Sequence, residues 1–481
     1  MNKLIILILT ASSIFYGQTL NWVYHLPFRG HATSLVYGLD GYIYVTGHTS
    51  NWCSLMVAKI DKNTGREQWV YYFDGGFGRN EGIKILFGKD SNIYVCGNYK
   101  GSEGYFDFNI VVISLTREGI ERWRYIYNSG DTSFWDEAYD MVYGEDGNLY
   151  LCGEHTFNNT IGEEDIIVIS LTNEGEERWV YIYNSPIDWM DIAYDIIYGL
   201  DGNIYLTGIS GRGPPPNCLD LVVISLTGDG NERWIYFCSG DFDYNGEFGR
   251  SIIYGDNHLI YITGNLEYYL TGWDLVVIAL DTNGNEQWVY TYDFRRDYSE
   301  WGAEILYGEN GNLYVGGRAD APVNPVLSLS NMGEPMWILR RLERVVLFDY
   351  EFGRDGNLYG AGLFHDRRIN NNGPFIASLS LDGQIRWLFS LPEPEPGQFE
   401  DLTIGDDGNL YCCGGVNYVP IVISISPMSN ISEKDKNLKL SFSENGKVYE
   451  IDGRLLGKRK ISRGIYFVRI KEKWYKIVKI K

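Results

Sequence analysis

Five acidic residues, Asp140, Asp195, Glu304, Asp349 and Asp401, recur at one position of a repeated strand pattern, each four residues ahead of a turn glycine. The three other copies carry Ser34, Lys84 and Ser251 there, and the next residue is apolar or aromatic throughout: Leu35, Ile85, Met141, Ile196, Ile252, Ile305, Tyr350 or Leu402. Carboxylates gathered in one place repel one another unless they are protonated, hydrated, paired with a cation or bound to a metal. Three kinds of chemistry are open to such a set. It can hold a cation, with Ca2+ the hard oxygen-seeking candidate. It can do acid–base work on a glycosidic bond if two members stand at a suitable separation. Or it can line a water-filled channel in which Lys84 balances Asp140. A second set places aromatic rings beside acids in the connecting segments: Trp135, Asp136 and Glu137, then Trp189 and Asp191, then Glu300 and Trp301. Aromatic platforms flanked by hydrogen-bond acceptors suit sugars or cationic groups, although each ring also suits capping the end of a sheet.

The elements that position these residues repeat in fixed order between Asn21 and Ser426. A first segment ends in an aromatic residue and Gly, as in AYDMVYG (138–144) and AYDIIYG (193–199). After a short turn comes IYVTG, IYVCG, LYLCG, IYLTG, IYITG, LYVGG, LYGAG or LYCCG, then an apolar run such as LMVAKI or IVVISL. A fourth segment is marked by Trp22, Trp69, Trp123, Trp179, Trp234, Trp288, Trp337 and Trp387. Each segment has the length and alternation of a strand. Pairs such as Asp146-Gly147 and Asn310-Gly311 supply the positive φ of a tight hairpin and lack the downstream ligands of a calcium loop. Eight copies at spacings of 47 to 56 residues predict an all-β, eight-bladed β-propeller over 19–426. The series opens on a lone fourth strand at Trp22 and ends on a third strand at Ile421, so the N-terminal strand is expected to complete the last blade and remove the free edges of an open array. First strands then border the central channel, which places the polar position in a ring. The repeat resembles bacterial β-propeller repeats of the form YGxDGNIYxTG followed by DxVVISL and a Trp strand, a likeness that identifies an architecture rather than a function.

Residues 1–18 join Lys3 to the apolar run LIILILTASSIFY, the form of a secretory signal peptide. No later stretch approaches the ~20 apolar residues of a bilayer span, so no transmembrane segment is expected. Between Ile431 and Lys481 fifteen Lys/Arg oppose six Asp/Glu, a net of +9 that leaves −31 on the rest of a chain of net charge −22. So acidic a body excludes nucleic acid as a natural partner. Seven cysteines do not form a disulfide framework. Cys96, Cys152 and Cys413 occupy a repeat position held elsewhere by Thr46, Thr207, Thr263, Gly316 and Ala361, so that position asks only for a small side chain. Cys412 and Cys413 are expected as reduced thiols on opposite faces of one strand, since a vicinal disulfide is strained. Cys53 and Cys218 are placed in loops.

Past Pro427 the pattern stops, and 427–437 reads as a linker to a small basic antiparallel β domain over 438–481. There VYEIDGRLL, followed by GIYFVRI and KIVKI, resembles the C-terminal sorting domain of type IX secretion cargo, which implies passage across an outer membrane and release or attachment at the surface. The expected protein is therefore secreted or surface-displayed, a monomer that presents one propeller face to a glycan or protein and meets export machinery through its C-terminal domain. The alternative is a secreted carbohydrate-active lyase or hydrolase using channel carboxylates. The turn DKNTGREQW (61–69) resembles the docking turn of quinone-cofactor propellers, but the other copies follow ordinary hairpin rules and no long insertion builds a cofactor pocket, so no organic cofactor is expected. GRGPPPNC and HDRRINNNG are read as extended loops.

Overall fold

The computed structural model describes residues 18–427, apart from 51–52, 103–106, 131–134, 157–163, 187–188, 214–217, 241–245, 294–298, 320–323, 341, 343, 367–370 and 392–394, together with the C-terminal strands Lys439–Glu444, Lys447–Asp452, Gly464–Ile470 and Lys473–Lys479. Only Gln18 of the expected signal peptide and Pro427 of the expected linker fall among these residues; the rest of both segments lies outside them. The four C-terminal strands pair antiparallel, with Lys439–Glu444 between Lys447–Asp452 and Gly464–Ile470, and Lys473–Lys479 outermost.

The rest is eight four-stranded antiparallel sheets. Blades one to seven are contiguous: 30–73, 81–127, 136–183, 192–238, 248–292, 300–339 and 345–390. In the eighth, Gly397–Ile404, Leu410–Val416 and Val419–Pro427 are completed by Gln18–His25, which pairs Trp22 with Ser424 and His25 with Ile421. Successive first strands pack on one another, and Gly397–Ile404 packs on Gly30–Tyr37 to close the ring. The core lies between blades. Eight buried clusters each join two neighbours, as where Tyr150, Ile166 and Val168 meet Ile196, Leu206 and Val222.

The conserved pattern of the repeat becomes legible in these contacts. The second-strand tyrosines, Tyr44 to Tyr411, are fully buried, so their hydroxyls need partners. In six blades the hairpin Asp four residues earlier accepts that hydroxyl at 2.6–2.8 Å. Asn257 and Asn310 donate to it instead in blades five and six. Each tyrosine ring lies 5.7–6.0 Å from the Trp of its own blade. Seven of those Trp donate Nε1–H to a carbonyl in the third-to-fourth turn of the next blade at 2.7–3.1 Å. Trp387 has no such turn to reach, because the eighth blade takes its fourth strand from the other end of the chain.

Two expectations are corrected. GRGPPPNC and HDRRINNNG are not simply loops, because the second and third strands run into them: Gly213 pairs with Cys218, and Asp366 with Asn371. Cys218 accordingly begins a strand, Cys218–Thr227, where a loop was expected. The third strands of blades six and seven, Val326–Ser330 and Asn371–Leu379, depart most from the apolar run of the repeat yet form all the same.

Candidate functional site

Every first strand carries a bulge immediately before the ring position. In blade three Ala138 pairs with Gly153 and Asp140 with Cys152, which leaves Tyr139 as the extra residue. The same slip recurs in all eight blades and singles out Thr33, Ile83, Tyr139, Tyr194, Arg250, Ala303, Phe348 and Glu400. The strands approach closely there: a Cβ on Gly153 would lie 1.9 Å from the Glu137 carbonyl oxygen. A bulge bends and twists its strand and re-aims a side chain.

The ring residue that follows ties one blade to the next. A first strand is the inner edge of its sheet, so alternate N–H groups lack a ladder partner. Asp401 accepts from Leu35 N at 2.8 Å, Asp195 from Ile252 N at 2.8 Å and Asp349 from Leu402 N at 2.6 Å. Asp140 reaches Ile196 N at 3.5 Å, and Ser34 and Ser251 reach Ile85 N and Ile305 N at 3.5 and 3.4 Å. Lys84 has no acceptor to offer, and its Nζ lies 3.5 Å from Asp140 Oδ1. Its side chain is 43% exposed although protein surrounds it, as expected of a group in a wet lumen. The five sequence-selected acids are thus brought together, and four of them also satisfy neighbouring backbone.

Their ionisation follows from this crowding. Burial and then the Asp140 charge push the Asp195 carboxyl up to about 8. Burial raises Glu304 to about 8, and burial with the Glu304 and Asp401 charges lifts Asp349 well above the usual range. Lys84 is held well above its ordinary value, first by Asp140 and then by Asp401, Asp195 and Asp349, so its charge reaches across the ring. Several ring carboxyls therefore keep protons at neutral pH. The small position opposite the ring is filled as its residue types require. Thr46, Thr207 and Thr263 donate to third-strand carbonyls at 2.9–3.0 Å, whereas at Gly316 the Tyr350 ring of the next blade occupies the space a side chain would take. Cys412 and Cys413 are free thiols in different inter-blade clusters, and burial raises both far above the ordinary thiol range.

The loop residues reach one face without forming one cluster. Asp136 and Asp191 are completely buried and turn inward. Asp136 accepts from Ser129 N and Oγ at 3.0 and 2.9 Å and contacts His155 Nδ1 at 2.8 Å, while Asp191 accepts from Ser185 N at 2.7 Å and Gly211 N at 3.1 Å. Asn80 and Glu247 hold the equivalent place, accepting from Gly75 N and Gly240 N. These residues clamp the entering loop to the blade rather than display acids to solvent. Trp135 packs 4.8 Å from Phe108, Trp189 covers Gly211, and Trp301 meets Trp273 edge-on at 6.4 Å. Glu300 is buried, and carboxylate oxygens of Asp274, Asp293 and Glu300 lie within 4.8 Å of one another. Glu137 enters a cavity of about 170 Å³ between blades two and three, with Arg79, Glu81, Asn98, Phe108 and Tyr139. Arg79 Nη2 stands 3.8 Å from Glu137 Oε1. Burial and the Glu137 charge raise Glu81 to about 8, and burial raises Glu137 too.

Sequence reading missed Arg79, Glu81, Arg250 and Arg318. For Arg250 the available signal was the bulge position, where side-chain type changes from blade to blade; Arg79, Glu81 and Arg318 stand outside it.

These features define an eight-bladed β-propeller with a carboxyl-lined waist and a chemically irregular mouth on one face. No protein-family model matches the sequence, and comparison with curated proteins likewise gives no match. Among solved structures the chain is similar to Sqt1 from Chaetomium thermophilum, with 10% identity, coverage of 85% of this chain and 99% of that one, and a TM-score of 0.53. It is also similar to the Pan2 WD40 domain of Neurospora crassa (11% identity, 86% and 96% coverage, TM-score 0.45) and to a protein of unknown function from Bacteroides caccae (13%, 76% and 94%, TM-score 0.34). At such identities the likeness is one of fold alone. Among the described residues no helix is long and apolar enough to cross a membrane.

Proposed function

We propose that this chain is an exported, non-catalytic binding scaffold. Its propeller takes a glycan at the face where the fourth-to-first and second-to-third loops emerge, and its C-terminal stretch directs export. The difference between the two faces carries this reading. On one face every first-to-second turn closes on itself through the same Gly backbone bond, as from Gly38 N to Tyr42 O and from Gly144 N to Asn148 O. On the other, bulge residues of every chemical type surround the lumen beside Arg79, Glu81 and Glu137. Binding of the full mature chain to a glycan array tests the proposal, and protein partners are its competing outcome. Ca2+ is the cation that the ring, or Asp274, Asp293 and Glu300, would take; a melting temperature unmoved by millimolar Ca2+ would remove it from the account. Export through 438–481 is tested by fractionating cells that express the chain with and without those residues, and a monomer by light scattering.

Catalysis is favoured by one observation: Glu81 and Glu137 share a cavity with Arg79 and both carboxyls are raised, as acid–base groups require. Turnover of a bound glycan, abolished by Glu81→Gln or Glu137→Gln, would establish the secreted lyase or hydrolase instead.

A further inference from the structure

Arg250 and Arg318 stand apart from the chain's other half-buried arginines. Arg250 is the bulge residue of blade five, directly before ring residue Ser251. Arg318 lies near the end of the second strand of blade six, opposite Trp301. First strands enter from the loop face, so a residue ahead of the ring position lies toward that mouth. The Arg250 guanidinium is 4.8 Å from the Tyr194 ring centre and 4.6 Å from that of Phe248, and Arg318 is 4.6 Å from Phe348. The Nε of each is buried without a hydrogen-bond partner, and among the described residues neither arginine makes an ion pair. Elsewhere a half-buried arginine finds partners. Arg122 grips both oxygens of Glu174 at 2.9 and 3.0 Å, and Arg233 bonds Tyr205, Ser225 and Thr282.

An enclosed cation without a counter-charge destabilises the fold. Burial lowers the pKa of both, and the Arg250 charge lowers that of Arg318 further, against the opposing charge of Glu400. In a chain with 63 Asp and Glu a carboxylate partner was available in composition, yet among the described residues none pairs with either arginine: the Glu400 charge reaches Arg318, but that carboxylate is itself bonded to His31 and Gln398. A guanidinium held by its face against aromatic rings keeps its planar fork of donors for a bidentate anion. The body's net charge of −31 repels dense polyanions, so the anionic groups of a ligand must be sparse and separated by neutral, hydroxylated units. Tyr139 and Tyr194, edge to face at 5.5 Å, supply aromatic surface beside the pair.

We propose that Arg250 and Arg318 form a carboxylate-recognition site at the channel mouth and that the ligand is a uronate-bearing glycan. This rests on the binding-face reading above and gives it a substrate class.

The test is titration calorimetry of the full mature chain with a galacturonic-acid trisaccharide and with its neutral galactose counterpart. The acidic sugar should bind at least tenfold more tightly. Arg250→Gln and Arg318→Gln should each weaken acid binding tenfold or more and weaken neutral-sugar binding by less than threefold. Arg250→Lys and Arg318→Lys keep the charge and lose the fork, so they should lose at least threefold, and they serve if a glutamine variant folds poorly. Arg250→Met should melt no lower than the parent, because the cation it removes is unpaired. Equal affinity for both sugars, or acid binding undiminished in all four binding variants, overturns the arginine site and leaves the binding face standing. Failure of both sugars to bind overturns the two together.

Discussion

Asp401 shows how much one ring carboxylate does. It belongs to blade eight, accepts the Leu35 N–H of blade one at 2.8 Å, and so helps close the circle from inside. Asp401→Ala would strand that N–H, and urea unfolding should show a loss of about 1–3 kcal/mol. Asp401→Asn keeps an acceptor oxygen and should lose less than half as much. The raised carboxyls make a second prediction at this scale. A carboxyl whose pKa is higher in the folded chain holds its proton more tightly when folded. The stability this contributes is complete below the unfolded pKa and is lost as pH rises through the folded one. For Asp195 and Glu304 that window runs from about pH 4 to about 8. Melting temperature should therefore fall across it, and Asp195→Asn should flatten the slope and melt higher than the parent at pH 9. A parent profile that rises over this interval would contradict the protonated ring.

Single strands and turns obey local rules that the sequence states openly, with two exceptions. The first-to-second turn carries Gly at positive φ in six blades, but Ser91 (φ 66°) and His258 (φ 61°) hold that conformation in blades two and five. An L-residue there costs roughly 1–2 kcal/mol, partly offset by glycine's greater freedom when unfolded. Ser91→Gly should therefore stabilise by about 0.5–1 kcal/mol, read as a higher urea midpoint. The third-to-fourth turn has the opposite sensitivity. Gly65 has φ 67°, and a Cβ there would fall 2.6 Å from the Trp22 ring, so Gly65→Ala combines backbone strain with collision against a neighbouring blade. A loss below about 0.5 kcal/mol would show that this contact does not hold the blades together.

The whole molecule depends on the N-terminal strand twice over. Gln18–His25 completes blade eight through its ladder to Val419–Pro427, and Trp22 donates to the Lys62 carbonyl of blade one at 2.8 Å. Deleting 19–26 should lower the melting temperature far more than deleting 429–481, and equal melting of the two truncations would contradict closure by that strand. Composition and spacing made the blade count and the closing strand readable in advance, because strand alternation, Asp-Gly turns and the Trp marker are short-range signals repeated eight times. They also placed Asp140, Asp195, Glu304, Asp349 and Asp401 in register, since a common offset from a turn is a one-dimensional fact. They did not tell that Asp136 and Asp191 turn inward, because burial depends on where the next loop folds back.

The sequence by itself determined a periodic scaffold: which residues alternate, where each strand ends, and which side chain each blade presents at the waist. Only the tertiary structure decided what those side chains meet. The bulge that re-aims Arg250 belongs to blade five, while the Tyr194 ring against it comes from blade four, 56 residues away. Charge and burial at the mouth are set by distances across the lumen, and no local pattern encodes those.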